Sequence, residues 1–403
     1  MTLLTPPQPP GADIIRTQPD RPAATAPAGP VPERTREAVL GDLLDSLRRR
    51  VLSTGGYHHR NYRQRLSPQD AAALGLPPGS SVLLRTRRPG SPELVQRTWP
   101  QESAVLRQLA GAGERLDGGW GVQVPRVLHQ DASGAAVLLY VEGRTLDRSC
   151  PPGSPVPTAY LGQIGGFFAE LARLGRSDLP PLPDDWPADG DSTGFLRARV
   201  RWAAARLSDA HWDAYGGLFS ALGVPPDAME RFGERTSALT PRPFGLLHTD
   251  VHRRNIVVGP GEVLSFIDWE HAMFGDPLYD LATHLCRTRY PLSQQRQLVA
   301  AWGTAVTRVS AAHARGLARD LPGYLAYERA QSVYPDVIRA ADSLGVAPDP
   351  ATLQQAVLRV EAALSAAAVP LGLAQIPSRD VIGKLLAGRR IRVAGGGRAA
   401  VRV

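Results

Sequence analysis

Two short stretches decide how this chain folds: residues 246–258, LLHTDVHRRNIVV, and residues 266–270, FIDWE. The first stretch contains the spacing H-x-D-x-x-x-x-N, formed by His248, Asp250 and Asn255. An ionisable ring, a carboxylate and an amide thus stand on one short loop. We expect this loop to carry the chemistry of the chain.

The residues that follow the loop predict a β-hairpin. Strand-like runs cover residues 255–258 and 263–267, and Gly-Pro-Gly at 259–261 separates them. Two apolar runs joined by a short loop that contains Gly are typical of a hairpin. Because the two strands pair, the hairpin should bring Asp268 back beside Asn255.

A carboxylate on the loop, with an amide and a second carboxylate beside it, fits the requirements of phosphoryl transfer. One carboxylate must orient the attacking hydroxyl and accept its proton, and hard oxygen ligands must hold Mg²⁺ against the phosphates. Asp250 could provide the base, and Asn255 and Asp268 the metal ligands. The spacing equals that of the protein-kinase catalytic loop, and Asp268 stands where a metal-binding Asp would follow it.

Residues 266–270 together with residues 275–282, GDPLYDLA, resemble the aminoglycoside phosphotransferase and choline-kinase-like family. Members typically read H-x-D-x-x-x-x-N, then I-D-W-E, then G-D-P-x-x-D-L-A. The resemblance covers roughly residues 45 to 345. It implies an α+β, two-lobed protein-kinase-like fold, a small hydroxylated acceptor, ATP or, alternatively, GTP, and Mg²⁺. It also implies Asp250 as the catalytic base and Asn255 and Asp268 as the metal ligands.

Several polar residues near the motif have structural interpretations. We predict that His248 buttresses the loop, and that Asp276 and Asp280 brace the loop or cap a helix. Asp280 precedes an apolar helix, as an N-cap does. Glu270 either faces the acceptor or fixes Trp269.

The N-terminal lobe is predicted as a small antiparallel sheet with one helix. Residues 81–86 and 93–99 read as strands, and a helix follows that carries Glu102. The family has a strand cation, usually Lys, paired to a helix Glu, but the only lysine is Lys384. Arg85 and Arg97 are the candidates. We favour Arg97, because its strand immediately precedes the helix.

Two further segments are assigned to the nucleotide by the resemblance. Gly55 and Gly56 resemble the turn that covers the phosphates, although a plain hairpin turn would look the same. Backbone groups near Tyr140 and Val141 resemble the hinge that pairs with adenine.

Composition divides the chain into four segments. Pro-rich sequence without apolar periodicity predicts disorder at the N-terminus, and later residues show helical periodicity over 194–220, 293–311, 320–342 and 350–367. The predicted segments are a disordered segment (1–35), an N-lobe (36–141), a helical C-lobe with catalytic loop and acceptor site (142–372) and a basic tail (373–403).

The acceptor is the least determined part of the prediction. Residues 324–336 place Tyr, Glu, Gln and Asp on a helix that Pro335 would kink. Such a cluster could bind a cationic or sugar-like acceptor, or could be an ordinary solvated face. The formal charge of +8 conflicts with a cationic acceptor. An aminoglycoside, a sugar, a nucleoside and an amino alcohol therefore stay open.

Composition also bears on partners and location. No dense basic tract with interleaved aromatics suggests nucleic-acid binding, and no apolar run suggests a membrane span. Two cysteines, a start without a secretory pattern and the absence of a span predict a cytoplasmic protein. The alternative to a kinase is a catalytically silent kinase-like nucleotide-binding module, which the missing strand lysine would favour.

Overall fold

The computed structural model describes residues 34–49, 58–88, 94–115, 123–345 and 348–395. The N-terminal segment that we predict to be disordered lies outside the described residues as far as residue 33. Gly55 and Gly56, assigned to the phosphate-covering turn, also lie outside them.

The N-terminal lobe is built on a four-stranded antiparallel sheet in the order β1-β2-β4-β3. A small core of its own holds it together: Val39, Leu43 and Leu47 of the first helix are buried with Tyr62 and Leu84 of the sheet. The elements of this lobe are α1 (Arg36–Arg49), β1 (His59–Arg65), α2 (Pro68–Ala73), β2 (Ser81–Arg87), α3 (Glu102–Arg115), β3 (Val127–Gln130) and β4 (Ala136–Leu139).

The strand predicted over residues 93–99 does not form in its described part, residues 94–99. The backbone from residue 94 to residue 100 is irregular, and Leu94 and Trp99 are buried in the core of the helical lobe. The Trp99 indole N–H donates to the carbonyl oxygens of Pro180 and Pro181, at 3.2 and 3.0 Å. The apolar residues of this segment are therefore buried by contact between the lobes instead of by strand pairing.

The second lobe is mainly helical and carries two small antiparallel sheets, β5-β7-β8 and β6-β9. Its strands are β5 (Arg144–Thr145), β6 (Gly245–Leu247), β7 (Ile256–Val258), β8 (Leu264–Phe266) and β9 (Met273–Gly275). Its helices are α4 (Leu146–Ser149), α5 (Thr158–Ala172), α6 (Ser192–Ala203), α7 (Ala210–Ala221), α8 (Ala228–Glu234), α9 (Pro277–Thr288), α10 (Leu292–Val309), α11 (Leu317–Ser343), α12 (Pro350–Leu371) and α13 (Arg379–Gly395). The two-lobed α+β architecture predicted from the sequence is confirmed.

The four predicted helical stretches of this lobe are confirmed with small differences. The stretch over 194–220 is α6 and α7, joined by a π-helical turn at 204–209. Helix α11 runs through Pro335 without a break. The tail predicted over 373–403 contains α13, because Ile382 and Leu386 find apolar partners in the helical core.

The predicted hairpin is confirmed and positions the motif. β7 and β8 pair antiparallel with Val257 opposite Ser265. The Gly259 N–H closes the turn by donating to the Val263 carbonyl oxygen at 2.9 Å. The Ile267 N–H then donates to the Asn255 carbonyl oxygen at 3.0 Å, so the segment that carries Asp268 lies directly beside the loop that carries Asn255.

No helix among the described residues combines the length and the apolar composition that crossing a bilayer requires.

Candidate active site

The loop between β6 and β7 is held by a buried carboxylate on α9. Asp280 accepts the backbone N–H of His248 at 2.7 Å and that of Thr249 at 2.8 Å, one on each oxygen. Thr249 has φ 59°, a left-handed conformation that is strained for a β-branched residue. Its hydroxyl also donates to the His271 carbonyl oxygen at 2.7 Å. The loop is therefore fixed from both sides.

Asp280 braces the loop as predicted, but the helix cap is a different residue. Asp276 is the N-cap of α9, and its side chain accepts the Leu278 N–H at 3.0 Å. Asp280 lies inside the first turn of the helix. Burial raises the pKa of Asp280 to about 7, against the opposing effect of its two backbone hydrogen bonds.

His248 is a buttress, as predicted, and its surroundings fix its tautomer. Nε2 lies 3.1 Å from the Ile267 carbonyl oxygen, which can only accept, so Nε2 carries the proton. Nδ1 then accepts the Asp250 backbone N–H at 3.3 Å. Burial lowers the pKa of His248 to about 4, and the ring is neutral at pH 7.

The Asp250 carboxylate lies between an amide and a guanidinium. The Asn255 side-chain amide donates to the Asp250 backbone carbonyl at 3.0 Å and to its carboxylate at 3.1 Å. Arg287 of α9 forms an ion pair with the other carboxylate oxygen. Burial alone would raise the pKa of Asp250, but the positive charge of Arg287 outweighs it, and the pKa lies below its ordinary 3.8. Asp250 is therefore ionised at neutral pH.

Arg85, and not Arg97, is the strand cation that pairs with the helix glutamate. Arg85 on β2 lies 3.2 Å from the Glu102 carboxylate and also forms an ion pair with Asp268. The other Glu102 oxygen accepts the Trp269 backbone N–H at 2.8 Å. The expected pairing of Arg97 with Glu102 is wrong, because β2 and not the segment before α3 lies opposite the start of that helix.

Arg97 binds Glu270 instead. Its guanidinium lies 2.6 Å from the carboxylate of Glu270, and His59 approaches the same oxygen at 3.1 Å. His58, Glu270 and His271 also offer potential metal-ligand atoms within 4.8 Å of one another. Because Arg97 already neutralises the carboxylate and His59 contacts the same oxygen, we interpret this group as a polar cluster that joins the lobes.

No sequence motif indicated Arg287, yet helical spacing contained a signal. Asp280, His284 and Arg287 stand four and three residues apart on α9, so they lie on one face. His284 is buried and its Nδ1 donates to the Val251 carbonyl oxygen at 2.7 Å. The face that carries Asp280 thus contacts the loop between β6 and β7 at three points. The last of these points is Asp250 itself.

One cavity unites the three residues predicted to carry chemistry. Asp250, Asn255 and Asp268 all line a cavity of about 1280 Å³ between the lobes and α11. Asp268 has φ 69°, a left-handed conformation that Asp tolerates better than most residues. The convergence expected from the hairpin is therefore present.

The two residues predicted to form the hinge line a second cavity, of about 770 Å³. Tyr140 and Val141 both contribute to its wall. The Tyr140 N–H is already committed to the sheet, donating to the Ser81 carbonyl oxygen at 3.0 Å.

The polar residues of α11 divide into two groups. Tyr324 and Tyr327 are buried, and their hydroxyls donate to Asp276 at 2.9 Å and to the Arg199 carbonyl at 3.1 Å. Glu328 is buried and accepts the Tyr279 hydroxyl at 2.8 Å. The tyrosines are core residues, whereas Glu328 and the residues on its side of the helix face the large cavity.

The chain belongs to the phosphotransferase enzyme family, whose model matches residues 54–319. This match includes both lobes and every residue of the motif loop.

Solved structures with similar folds have low sequence identity to the chain. An ethanolamine kinase from Plasmodium vivax matches with a TM-score of 0.50 and 13% identity, over 77% of this chain and 81% of that one. A candidate aminoglycoside phosphotransferase from Ralstonia eutropha matches with a TM-score of 0.50 and 20% identity, over 83% and 98%. The fold is thus the protein-kinase-like fold of small-molecule phosphotransferases.

A curated protein is also similar. Acyl-CoA dehydrogenase family member 11 from Gallus gallus is 28% identical over 232 residues, which are 55% of this chain and 27% of that protein. The chain therefore spans about a quarter of the length of that relative.

Proposed function

We propose that the protein is an ATP-dependent O-phosphotransferase that phosphorylates a hydroxyl group of a small molecule. The single observation that supports this most is the convergence of Asp250, Asn255 and Asp268 on one cavity between the lobes. In the reaction, the acceptor oxygen would bond to the γ-phosphorus as the bond to the β–γ bridging oxygen breaks. ADP would leave with that electron pair, and the acceptor proton would pass to Asp250.

Asp250 suits the role of catalytic base. It is ionised at neutral pH and its Asn255 contact fixes the orientation of the carboxylate. The neutral His248 ring accepts the backbone N–H of Asp250. A base oriented in this way can accept a proton without first having to rotate or lose one.

Asn255 and Asp268 fit a magnesium site. The Asn255 amide nitrogen is directed at Asp250, which leaves the amide oxygen as the atom that a metal can use. The Asp268 side chain is about a third exposed, at 31%, on the cavity wall. One amide oxygen and one carboxylate are the hard ligands that Mg²⁺ takes beside triphosphate oxygens. Bound Mg²⁺ would neutralise charge on the phosphates.

The nucleotide would lie between the lobes with its phosphates near Arg85. Because a guanidinium stays protonated and offers forked donors, Arg85 can replace the family lysine in binding phosphate oxygens. Glu102 holds Arg85 in place. The Tyr140 carbonyl and the Val141 N–H are the hinge groups that we assign to the nucleotide base. Binding of the nucleotide phosphates by Arg97, Gly55 and Gly56 stays a prediction.

We also propose a cytoplasmic location. Cys150 and Cys286 are both free thiols in this fold, which suits a reducing compartment.

The test compares Asp250→Ala, Asp268→Ala and the control Asp213→Ala, an exposed carboxylate on α7 outside the cavity. Calorimetry with ATP and Mg²⁺ measures binding, and ADP formation measures turnover. We expect Asp250→Ala to retain binding and to lose turnover by about 10²–10⁴-fold. Asp268→Ala should lose magnesium-dependent binding, and the control should retain both.

Two results would contradict the proposal. Turnover in Asp250→Ala equal to that of the wild type would exclude the assigned base. Magnesium-dependent nucleotide binding without any ADP formation in the wild type, across aminoglycosides, nucleosides, amino alcohols and sugars, would favour the catalytically silent module.

A further inference from the structure

The large cavity extends well beyond the space that the nucleotide phosphates need. It continues from the catalytic loop across the end of α9 to α11 and α12, with a volume of about 1280 Å³. Ordinary small-molecule sites have roughly 300–1,000 Å³. This cavity therefore has room for an acceptor beside the nucleotide.

The lining of the cavity has an excess of positive charge. It includes seven arginines and five acidic residues, so the acids cannot neutralise the arginines. Two of the acids, Asp268 and Glu270, already pair with Arg85 and Arg97, which are not among the lining residues. Those two carboxylates are therefore already occupied by arginines outside the lining.

The other three acids of the lining also have partners or positive charge nearby. Asp250 pairs with Arg287. Glu328 is buried, and its two oxygens accept the Tyr279 hydroxyl and a weaker donor, the Gln331 amide, at 3.3 Å. Burial raises the pKa of Asp336, whereas nearby arginines oppose that rise. Asp250 and Asp336 therefore lie near arginines, and both oxygens of Glu328 are occupied by neutral donors.

The excess positive charge of the lining comes from Arg148, Arg289 and Arg329. They come from α4, from the residue after α9 and from α11, and all three line the cavity. Within the part of the chain that the structure describes, no carboxylate lies within 4.0 Å of their guanidinium groups. All three side chains are exposed to the cavity solvent. Three separate elements thus supply arginines to one space.

Part of the cavity wall is uncharged. Ala362, Ala363 and Ala366 of α12 line it with methyl groups. A ligand in the cavity would therefore meet small apolar groups as well as guanidinium groups.

We propose that the acceptor is a hydroxylated anion, a carboxylate or a phosphate ester, whose charge binds Arg289 and Arg329 while its hydroxyl faces Asp250. This inference rests on the proposed kinase function. Guanidinium groups bind both anions through paired N–H donors. A polycationic acceptor such as an aminoglycoside would instead meet repulsion from the same arginines.

The test uses the full chain, a nonhydrolysable ATP analogue with Mg²⁺, and four probes built on one three-carbon skeleton. Glycerate carries a carboxylate, glycerol 3-phosphate a phosphate, 3-amino-1,2-propanediol a cation, and glycerol no charge. Isothermal titration calorimetry measures each affinity after the nucleotide analogue has bound. We expect at least one anion to bind about tenfold more tightly than glycerol, and the amine more weakly than glycerol.

Variants connect the preference to the residues. Arg289→Gln and Arg329→Gln should each weaken anion binding about tenfold and leave glycerol unchanged. Arg308→Gln, an exposed arginine of α10 outside the cavity, is the matched control and should change nothing. The comparison of glycerate with glycerol 3-phosphate shows which anion the site takes.

Each other result overturns the inference. Tightest binding of the amine, equal binding of all probes, absence of anion binding, or anion binding that both variants leave intact would each refute an anionic acceptor. Failure of the nucleotide analogue to bind would instead refute the proposed function. The two failures are therefore separable in one set of titrations.

Discussion

Removing the Asp280 carboxylate tests how the catalytic loop is held. In Asp280→Ala, the backbone N–H groups of His248 and Thr249 lose their acceptors, and both residues are almost fully buried. A buried donor left without a partner costs about 1–3 kcal/mol. Two such donors would cost about 2–6 kcal/mol.

Part of this loss is offset, because the carboxylate itself is poorly solvated. Burial raises the pKa of Asp280 to about 7, so its removal also removes an unfavourable buried charge. We therefore expect the free energy of unfolding to fall by about 2–4 kcal/mol in Asp280→Ala. Asp280→Asn keeps one acceptor oxygen, so its free energy of unfolding should fall by about half as much.

Urea unfolding followed by tryptophan fluorescence measures these differences. Trp269 is a suitable reporter, since its ring centroid lies 4.6 Å from that of His248. Thr283→Val is the control in the same helix turn, because it removes a hydroxyl that donates to the Asp280 carbonyl and keeps the Asp280 carboxylate that accepts both loop N–H groups. Hydrogen exchange of the 246–256 peptide should rise in Asp280→Ala and not in the control. If the free energy of unfolding of Asp280→Ala falls by less than about 1 kcal/mol and hydrogen exchange of this peptide is unchanged, Asp280 does not brace the loop.

Two other predictions concern buried charge. Burial lowers the pKa values of His58, His248 and His284 to about 4, against 6.5 in an unfolded chain. Between pH 6.5 and pH 4 the unfolded state therefore binds more protons, and the free energy of unfolding should fall as the pH falls, by about 1.4 kcal/mol per pH unit for each histidine. Urea unfolding at pH 7.5, 6.0 and 5.0 measures this slope, and constant stability would contradict it. Arg242 is fully buried and binds Asp276 and Asp320, each with a closest distance of 2.7 Å. Arg242→Met should therefore cost about 3–5 kcal/mol, because it leaves the buried Asp276 carboxylate without a counter-charge, and Asp320 with Arg319 alone. Arg308→Met on the surface is its control, and equal stability of the two variants would show that the buried pair contributes nothing.

Local pattern was sufficient for the parts of the site that are close in sequence. The loop of His248, Asp250 and Asn255 and the hairpin behind it need only short-range signals, namely apolar runs, a Gly-Pro-Gly turn and motif spacing. Strand pairing then determines where Asp268 lies. For the same reason, the long amphipathic helices were predicted with errors of a few residues.

The choice between Arg85 and Arg97 could not be made from pattern alone. Arg97 is nearer to Glu102 in sequence, but the ion pair depends on which strand packs opposite the first turn of α3. That strand is β2, which carries Arg85. The residues before α3 read as a strand in sequence, yet Trp99 is buried in the other lobe. Tertiary packing overrode local propensity in both cases.

Helix α9 shows why sequence periodicity alone could not predict the full site. A polar stripe on an amphipathic helix ordinarily faces solvent, but here Asp280, Thr283 and His284 are buried and the stripe faces the catalytic loop. Burying polar groups is costly unless each finds a partner, and these find the loop backbone. The same stripe ends in Arg287, which lowers the pKa of Asp250. One helix face therefore sets both the position of the loop and the charge state of its carboxylate. Mutations along α9 should for that reason alter stability and phosphoryl transfer together.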